Sequence, residues 1–295
     1  MRPIHCSLIN HTLLIGCTGF IGTSILDYLL QSSPISNVPY YFNLSASPKE
    51  IFALCERTCI KTVFYLCGHS NVSSSNKTTL DADVDVAIYV RKILSHLPSI
   101  RVIFVASSAL LTWRSHYLDH KAPKNNSLHF YIQAKMAVEN IFNHHFKYDP
   151  TIACVRLSNV FGLNDRNNHR IIPYIRDCIQ LRKPIVLNSS PNSEINLIYD
   201  RALCRQFIEF MDTDDISILS SPYSVFLSVC YQSLTLEQLL DIISKHVGVS
   251  PISVTYGHRL DTCPVPLNEA SPFMISFGDS LRGIHEVFCP LNELI

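Results

Sequence analysis

Apolar residues along this chain alternate between two textures: short unbroken runs, and longer stretches in which they recur at helical spacing. Thr12 to Ile15 is a buried strand, and Ile21, Ile25, Leu29 and Leu30 then mark a helix. Pro39 to Leu44 predicts a second strand and Pro48 to Arg57 a second helix. Lys61 to Cys67 is an apolar, β-branched run and predicts a third strand. Asp83 to Leu97 has helical period. Arg101 to Ala106 is a strand ending at Ser107 and Ser108, Tyr131 to His145 a helix, and Thr151 to Leu157 a strand ending at the turn Asn159-Val160-Phe161-Gly162. Strands alternating with helices of this length imply an α/β fold, a doubly wound parallel sheet of Rossmann type with right-handed crossovers.

After Gly162 the alternation loosens. Arg170 to Leu181 predicts a helix, Pro184 to Leu187 a short strand, and Leu197 to Tyr199 a strand running into a helix through Met211. Residues 212–232 carry no clear period. Thr235-Leu236-Glu237-Gln238 is a capping box opening a helix that stops near Gly248. This half is expected to form a smaller lobe over the mouth of the sheet.

The first strand–helix junction carries glycines at Gly16, Gly19 and Gly22, three of only nine in the chain. Glycine permits a tight turn and close backbone approach, and a helix N-terminus offers free N–H groups to phosphate. A dinucleotide pyrophosphate is the ligand expected here. The expected division is therefore a dinucleotide-binding domain over residues 1–160 and a mainly substrate-binding lobe over 161–295, with part of 195–232 returning to the sheet. The acidic residue that often holds the adenosine ribose after the second strand is missing from Tyr40-Tyr41-Phe42-Asn43-Leu44-Ser45, so NAD and NADP both remain open.

Composition narrows the class. With 47% hydrophobic residues a sizeable core is available, and formal net charge is zero with no block of like charge. Neither nucleic acid nor an anionic membrane is the expected partner. Eleven scattered cysteines without a CxxC pair or a zinc spacing predict reduced thiols in a cytoplasmic protein and no metal site. No apolar run reaches the ~18 residues of a membrane span.

Tyr131 and Lys135 stand at i and i+4, on one helix face. A free phenol is a poor base at neutral pH, and a nearby ammonium favours its ionised form. Lys135 can also bond a nicotinamide ribose. A hydroxyl at the preceding strand end, Ser107 or Ser108, would orient the substrate oxygen.

Together these features resemble the extended short-chain dehydrogenase/reductase superfamily, in its NAD-dependent epimerase/dehydratase branch, over most of the chain. TGFIG at 18–22 resembles the family's phosphate turn, which implies contacts from Gly16, Thr18, Gly19, Phe20, Ile21 and Gly22 to the cofactor. VFYLCGHSNV at 63–72 is similar to the strand bordering the cofactor, implicating Leu66, Cys67 and Gly68; Asn43 and Leu44 follow the second strand on the adenosine side. FVASSALL at 104–111 occupies the catalytic Ser/Thr segment, with Ser107 on that position by count. YIQAK at 131–135 is similar to the catalytic Tyr-Lys. RLSNVFG at 156–162 resembles a segment whose Asn contacts the sugar nucleotide, here Asn159. IIPYIRDCIQLRKPIVL at 171–187 resembles the substrate-lobe helix and strand. The resemblance implies an NAD or NADP cofactor and a small-molecule substrate, a nucleotide sugar; a homodimer is compatible with it.

Departures sharpen that expectation. Ser108 and Ala109 stand where sugar 4,6-dehydratases carry an acid and a base, so that dehydration is not expected. Glu194-Ile195-Asn196-Leu197 replaces a segment that helps bind the diphosphate. Asp83 and Asp85 replace an Asn near the third strand, and Leu111-Thr112 a Tyr-Gly. Arg166 and Arg170, after the Asn159 turn, are candidates for a phosphate or carboxylate. His116, His120 and His129 are expected to be solvated loop residues, and Trp113 either lines the pocket or packs. Two functions follow: an epimerase or keto-sugar reductase in which Tyr131 moves the proton, Lys135 holds the ribose and Ser107 polarises the oxygen; or a non-catalytic cofactor-binding or scaffold protein on the same fold.

Overall fold

The computed structural model describes residues 11–32, 40–42, 50, 53, 57–95, 100–110, 126–145, 151–212, 223–247, 253–259 and 274–288. The expected helix from Pro48 to Arg57 lies mostly outside these residues. The chain divides into two compact units, Met1–Leu157 with Cys204–Leu227, and Ser158–Leu203 with Ser228–Ile295.

The first unit is built on strands β1 (Thr12–Ile15), β2 (Tyr40–Phe42), β3 (Thr62–Tyr65), β4 (Arg101–Ser107) and β5 (Thr151–Leu157). They lie in the order β5-β4-β3-β1-β2, with β10 (Tyr223–Cys230) beside β5. β1 pairs in parallel with both β2 and β3, placing Leu13 opposite Tyr40 and Val63. The parallel ladder continues through Val63–Val102 and Val102–Ile152. β1 and β3 are buried at every position, the expected result when both faces of a parallel sheet are covered.

Side chains alternate across this sheet. One face presents Leu13, Val63, Tyr65, Val102, Phe104 and Ile152, packed on Val90 and Ile93 of helix α2 (Lys77–Leu94) and on Val138 and Phe142 of helix α3 (Ser127–His145). Phe142 is wedged between Phe104 and Tyr65, with ring centroids 4.8 and 4.9 Å away. The other face turns Phe64 toward Phe207 of helix α5 (Asp200–Asp212), centroids 5.6 Å apart. Helix α1 (Phe20–Ser32) lies near α5: its Tyr28 is within electrostatic range of Arg205 and Glu209. The architecture is a Rossmann-type α/β fold, a parallel sheet with helices on both faces.

Two helices start earlier than their apolar period predicts. α2 opens at Lys77, not Asp83, because Asn76 and Thr79 form a reciprocal capping box and Lys77 pairs with Asp81 at 3.3 Å. α3 opens at Ser127, where Asn126 accepts the His129 N–H at 2.8 Å. The unassigned stretch 212–232 contains β10, which lies beside β5.

Among the described residues the second unit contains three short strand pairs: β6 (Asn159–Phe161) parallel to β9 (Leu197–Tyr199), β7 (Ile185–Ser189) parallel to β12 (Val254–Arg259), and β8 (Glu194–Ile195) antiparallel to β11 (Leu234–Thr235). The end of β10 pairs in parallel with β13 (Met274–Ile275). Helices α4 (Ile171–Gln180), α6 (Leu236–Val247) and α7 (Phe277–Phe288) cover these strands. The Thr235–Gln238 capping box is present, its two bonds 2.9 and 3.1 Å long. Asn196, which has no solvent exposure, clasps the unit: its amide donates to the Cys230 carbonyl and its oxygen accepts the Cys230 N–H, both at 2.8 Å.

Candidate active site

The glycine turn is shaped by contacts of two kinds. Gly16 ends β1 at φ +91°, a conformation costly for any residue with a Cβ, and a Cβ there would stand 2.9 Å from the Cys67 Sγ. Gly22 packs its bare Cα against the Gly16 carbonyl and the Cys17 backbone. Gly19 differs. It is exposed, and the nearest protein atom to a Cβ there would be the Gly16 oxygen at an ordinary 3.6 Å. The protein's own packing therefore demands glycine at 16 and 22, while the open side of Gly19 leaves room for a ligand to reach the backbone. α1 begins at Phe20 with no acidic residue in its first turn, so its N-terminus is electrostatically open to an anion. These features fit a dinucleotide pyrophosphate. Thr18 is exposed, Phe20 and Ile21 half-buried.

Beside this turn runs the end of β3. The Leu66 N–H donates to the Ile15 carbonyl at 2.9 Å, extending the β1–β3 pairing past the strand and bringing Leu66, Cys67 and Gly68 alongside Gly16. Cys67 is half-buried, and burial, then the Asp83 charge, pushes its thiol up to about 12. Asn43 and Leu44 lie outside the described residues, as do Trp113, His116 and His120.

The strand-end serine and the helix-borne tyrosine and lysine meet. The Tyr131 hydroxyl donates to Ser107 Oγ at 3.3 Å, and the Ala109 N–H donates to the same oxygen at 3.2 Å. Ser107 Oγ thus accepts two hydrogen bonds, leaving its own proton available for an incoming oxygen. Ser108 begins a turn; its N–H donates to the Leu157 carbonyl at 2.9 Å. Lys135 Nζ lies 5.4 Å from the centre of the Tyr131 ring. One turn further along α3, Glu139 accepts two bonds from Arg156 of β5, at 3.0 and 2.8 Å, and anchors the row Tyr131–Lys135–Glu139 to the sheet.

Sequence reasoning marked Asp83 only as a departure. Its side chain is 11% exposed, stands 3.9 Å from Lys135 Nζ, and accepts the His69 N–H on both oxygens, at 3.0 and 2.9 Å. The i+4 spacing of Lys135 and Glu139 could have flagged Glu139; no local signal pairs Asp83 with a lysine far along the chain.

Two of the expected residues belong to the second unit. Asn159 is exposed; its side-chain N–H donates to the Asn196 carbonyl at 3.2 Å, and its side-chain oxygen makes no hydrogen bond among the described residues. Arg170 donates to the buried Asp165 carboxylate at 3.3 Å. The Asn167 N–H also bonds that carboxylate, at 3.2 Å, while Arg176 bonds the carbonyls of Leu163 and Asp165. Burial pushes the Asp165 carboxyl above the ordinary aspartate range, with Arg170, the Asn167 N–H and Arg176 pulling the other way. Among the described residues no group of three or more His, Cys, Asp or Glu side chains could hold a metal ion, and no helix is long and apolar enough to cross a membrane.

Comparison with known proteins bears on both units. The model of the NAD dependent epimerase/dehydratase family matches residues 12–217. Among solved structures, the UDP-glucuronic acid 4-epimerase of Bacillus cereus, in complex with UDP-glucuronic acid and NAD, aligns with TM-score 0.74 at 14% identity over 95% of this chain and 99% of that one. The UDP-N-acetylglucosamine 4-epimerase of Methanobrevibacter ruminantium aligns with TM-score 0.67 at 17% identity over 97% and 99%. RMD from Pseudomonas aeruginosa, complexed with NADPH, aligns with TM-score 0.67 at 14% identity over 94% and 99%. At such identities the likeness is one of fold. No curated protein sequence matches the chain.

Proposed function

The chain belongs to the NAD-dependent epimerase/dehydratase family, and on that premise we propose that it is an NAD- or NADP-dependent epimerase or reductase acting at a carbinol or keto carbon of a nucleotide-linked sugar. The observation that carries the proposal is the meeting of Tyr131, Ser107 and Lys135 in one unit, beside a glycine turn whose middle residue is open.

Gly16, Gly19, Gly22 and the N-terminus of α1 would hold the pyrophosphate, and Leu66 to Gly68 would border the dinucleotide. When bound, the nicotinamide supplies hydride acceptance or donation. Ser107 would donate a hydrogen bond to the reacting oxygen and polarise it, keeping its own proton. Tyr131 takes the hydroxyl proton at that oxygen as a carbinol is oxidised, and returns it on reduction. Lys135, whose Nζ lies 5.4 Å from the Tyr131 ring, would bond the nicotinamide ribose. Ser108 and Ala109 hold neither acid nor base, so 4,6-dehydration is outside this chemistry. Asn159, whose side-chain oxygen makes no hydrogen bond among the described residues, is a candidate for a substrate contact. UDP-sugars, the ligands of two of the structural relatives, are the first substrates to try.

The non-catalytic reading draws on Asn196, whose side chain is wholly engaged with Cys230 and Ser233 in the segment where the family resemblance expects diphosphate contacts. One experiment addresses the cofactor site directly. Gly19→Val puts a branched side chain on the open face of the turn, where the protein itself has room. Calorimetry with NAD(H) and NADP(H) should then find dinucleotide affinity lost while the unfolding temperature barely moves. Equal affinity in both proteins would remove the dinucleotide from this turn. A wild type that binds dinucleotide yet turns over no sugar nucleotide would favour the non-catalytic reading.

A further inference from the structure

A carboxylate inside a seam of helix and sheet is costly unless it is compensated. Asp83, two turns into α2, is buried, and groups from three elements face it. From the β3 turn come the His69 N–H and the Cys67 thiol; from β3 comes the Tyr65 hydroxyl, fully buried and without a hydrogen-bond partner among the described residues; from α3 comes Lys135. Lys135 is the cation that faces Asp83.

The spacing of that pair matters. At 3.9 Å the carboxylate attracts the ammonium without a hydrogen bond, so the Lys135 donors are not consumed by it. Glu139 and Arg156, one turn along the same helix, are closed at 2.8–3.0 Å on both oxygens. Gly68 completes the arrangement. Its φ is +129°, and a Cβ there would stand 2.6 Å from Lys135 Nζ and 3.4 Å from Asp83 Oδ2. Only a bare backbone at residue 68 lets the ammonium lie against the turn that Asp83 holds through His69.

We propose that Asp83 is a positioning residue for Lys135: it holds the ammonium and the turn after β3 in one arrangement, with the ammonium's donors left for the ligand. The inference rests on the dinucleotide-binding reading above. Its effect runs through Lys135, so it makes a claim that mere support of the fold does not.

A double-mutant cycle tests that claim. Asp83→Asn keeps the volume and an oxygen for the His69 N–H while removing the charge. Calorimetry with NAD(H) and NADP(H) on wild type, Asp83→Asn, Lys135→Met and the double variant, each checked by thermal unfolding, should show Asp83→Asn weakening dinucleotide binding roughly 5- to 30-fold. In the Lys135→Met background the same change should weaken it less than about twofold. Unchanged affinity in Asp83→Asn, or an equal loss in both backgrounds, overturns the proposal. Should Asp83→Asn fail to fold, Asp83→Glu carries the cycle: it keeps the charge but moves it, its effect should again vanish without Lys135, and additivity again overturns the proposal. A folded wild type that binds neither dinucleotide overturns the underlying reading, and this inference with it, whereas binding without coupling overturns the inference alone.

Discussion

In the first unit Asp83 stands 3.9 Å from the Lys135 ammonium; in the second, Asp165 stands 3.3 Å from the Arg170 guanidinium and bonds it. Both aspartates are buried and both face a cation on a packed helix or at its start. The first cation keeps its donors and lies against bare backbone at Gly68. The second is bonded by its carboxylate, in a loop that Arg176 also laces to α4. The contrast separates a charge held for use from a charge held for structure. Distance and the number of remaining donors draw that line, not burial, since Asp165 is the more deeply buried of the two.

The largest effect expected from this contrast lies in the first unit. Tyr131→Phe removes the phenolic hydroxyl and keeps the ring, and should lower turnover roughly 10²–10⁴-fold with dinucleotide affinity and unfolding temperature nearly unchanged. Ser107→Ala should follow it in the same direction, by less, because the phenol then loses its acceptor while the proton transfer group remains. Steady-state kinetics on whichever sugar nucleotide proves active measures both. Wild-type turnover in Tyr131→Phe would move the chemistry off this row.

Next comes the second unit, where the expected loss is in stability. Asp165→Ala strips the partner from Arg170 and the Asn167 N–H, and should cost about 1–3 kcal/mol of unfolding free energy. Dinucleotide affinity should stay as in the wild type. Denaturant unfolding and calorimetry on the same samples make the check. A fall in dinucleotide affinity without a fall in stability would erase the distinction between the two pairs.

The smallest effect is a change of slope. Burial holds the Asp165 carboxyl above its ordinary value of 3.8, so the folded state keeps this proton more tightly than the unfolded chain does. The contribution of this group to stability is then fully present below the unfolded-state value and is lost as pH rises through the folded-state one. Asp165→Asn does not titrate. Wild-type stability minus that of Asp165→Asn, from thermal unfolding at a series of pH values, should decline as pH rises from 3.8 toward neutrality. A difference that rises instead would mean that Arg170 and Arg176 outweigh burial.

Much of the first unit was legible because its signals are local. Strands β1, β3, β4 and β5 are built on short apolar runs, interrupted in β5 by Arg156, and the glycine turn and the Tyr131–Lys135 spacing each sit within a few residues. The starts of α2 and α3 were not legible from apolar period: Lys77 to Asp81 has Leu80 as its single apolar residue and the helix there depends on the Asn76 cap. β10 mixes serines into its run, with Ser228 fully buried, and β13 is two residues long, too short for any period. The chemistry divides along the same line. Ser107 could be counted from its strand, but Asp83 with Lys135, Glu139 with Arg156, and Asn196 with Cys230 are partnerships made only by tertiary packing. Arg170 looked available to a substrate anion, yet its nearest carboxylate is five residues upstream, at Asp165.

The division of the first unit into two chain segments bears on how it is made. Residues up to Leu157 supply five strands, but the segment that brings Phe207 over Phe64 and lays β10 beside β5 is complete only at Leu227. At ~5–20 residues per second, a ribosome takes roughly 4–14 s to cover that interval. During it, the edge of β5 and the Phe64 face wait for their cover while the start of the second unit emerges between the two segments. The nascent chain therefore passes through a window in which a holding chaperone has a defined apolar face to bind.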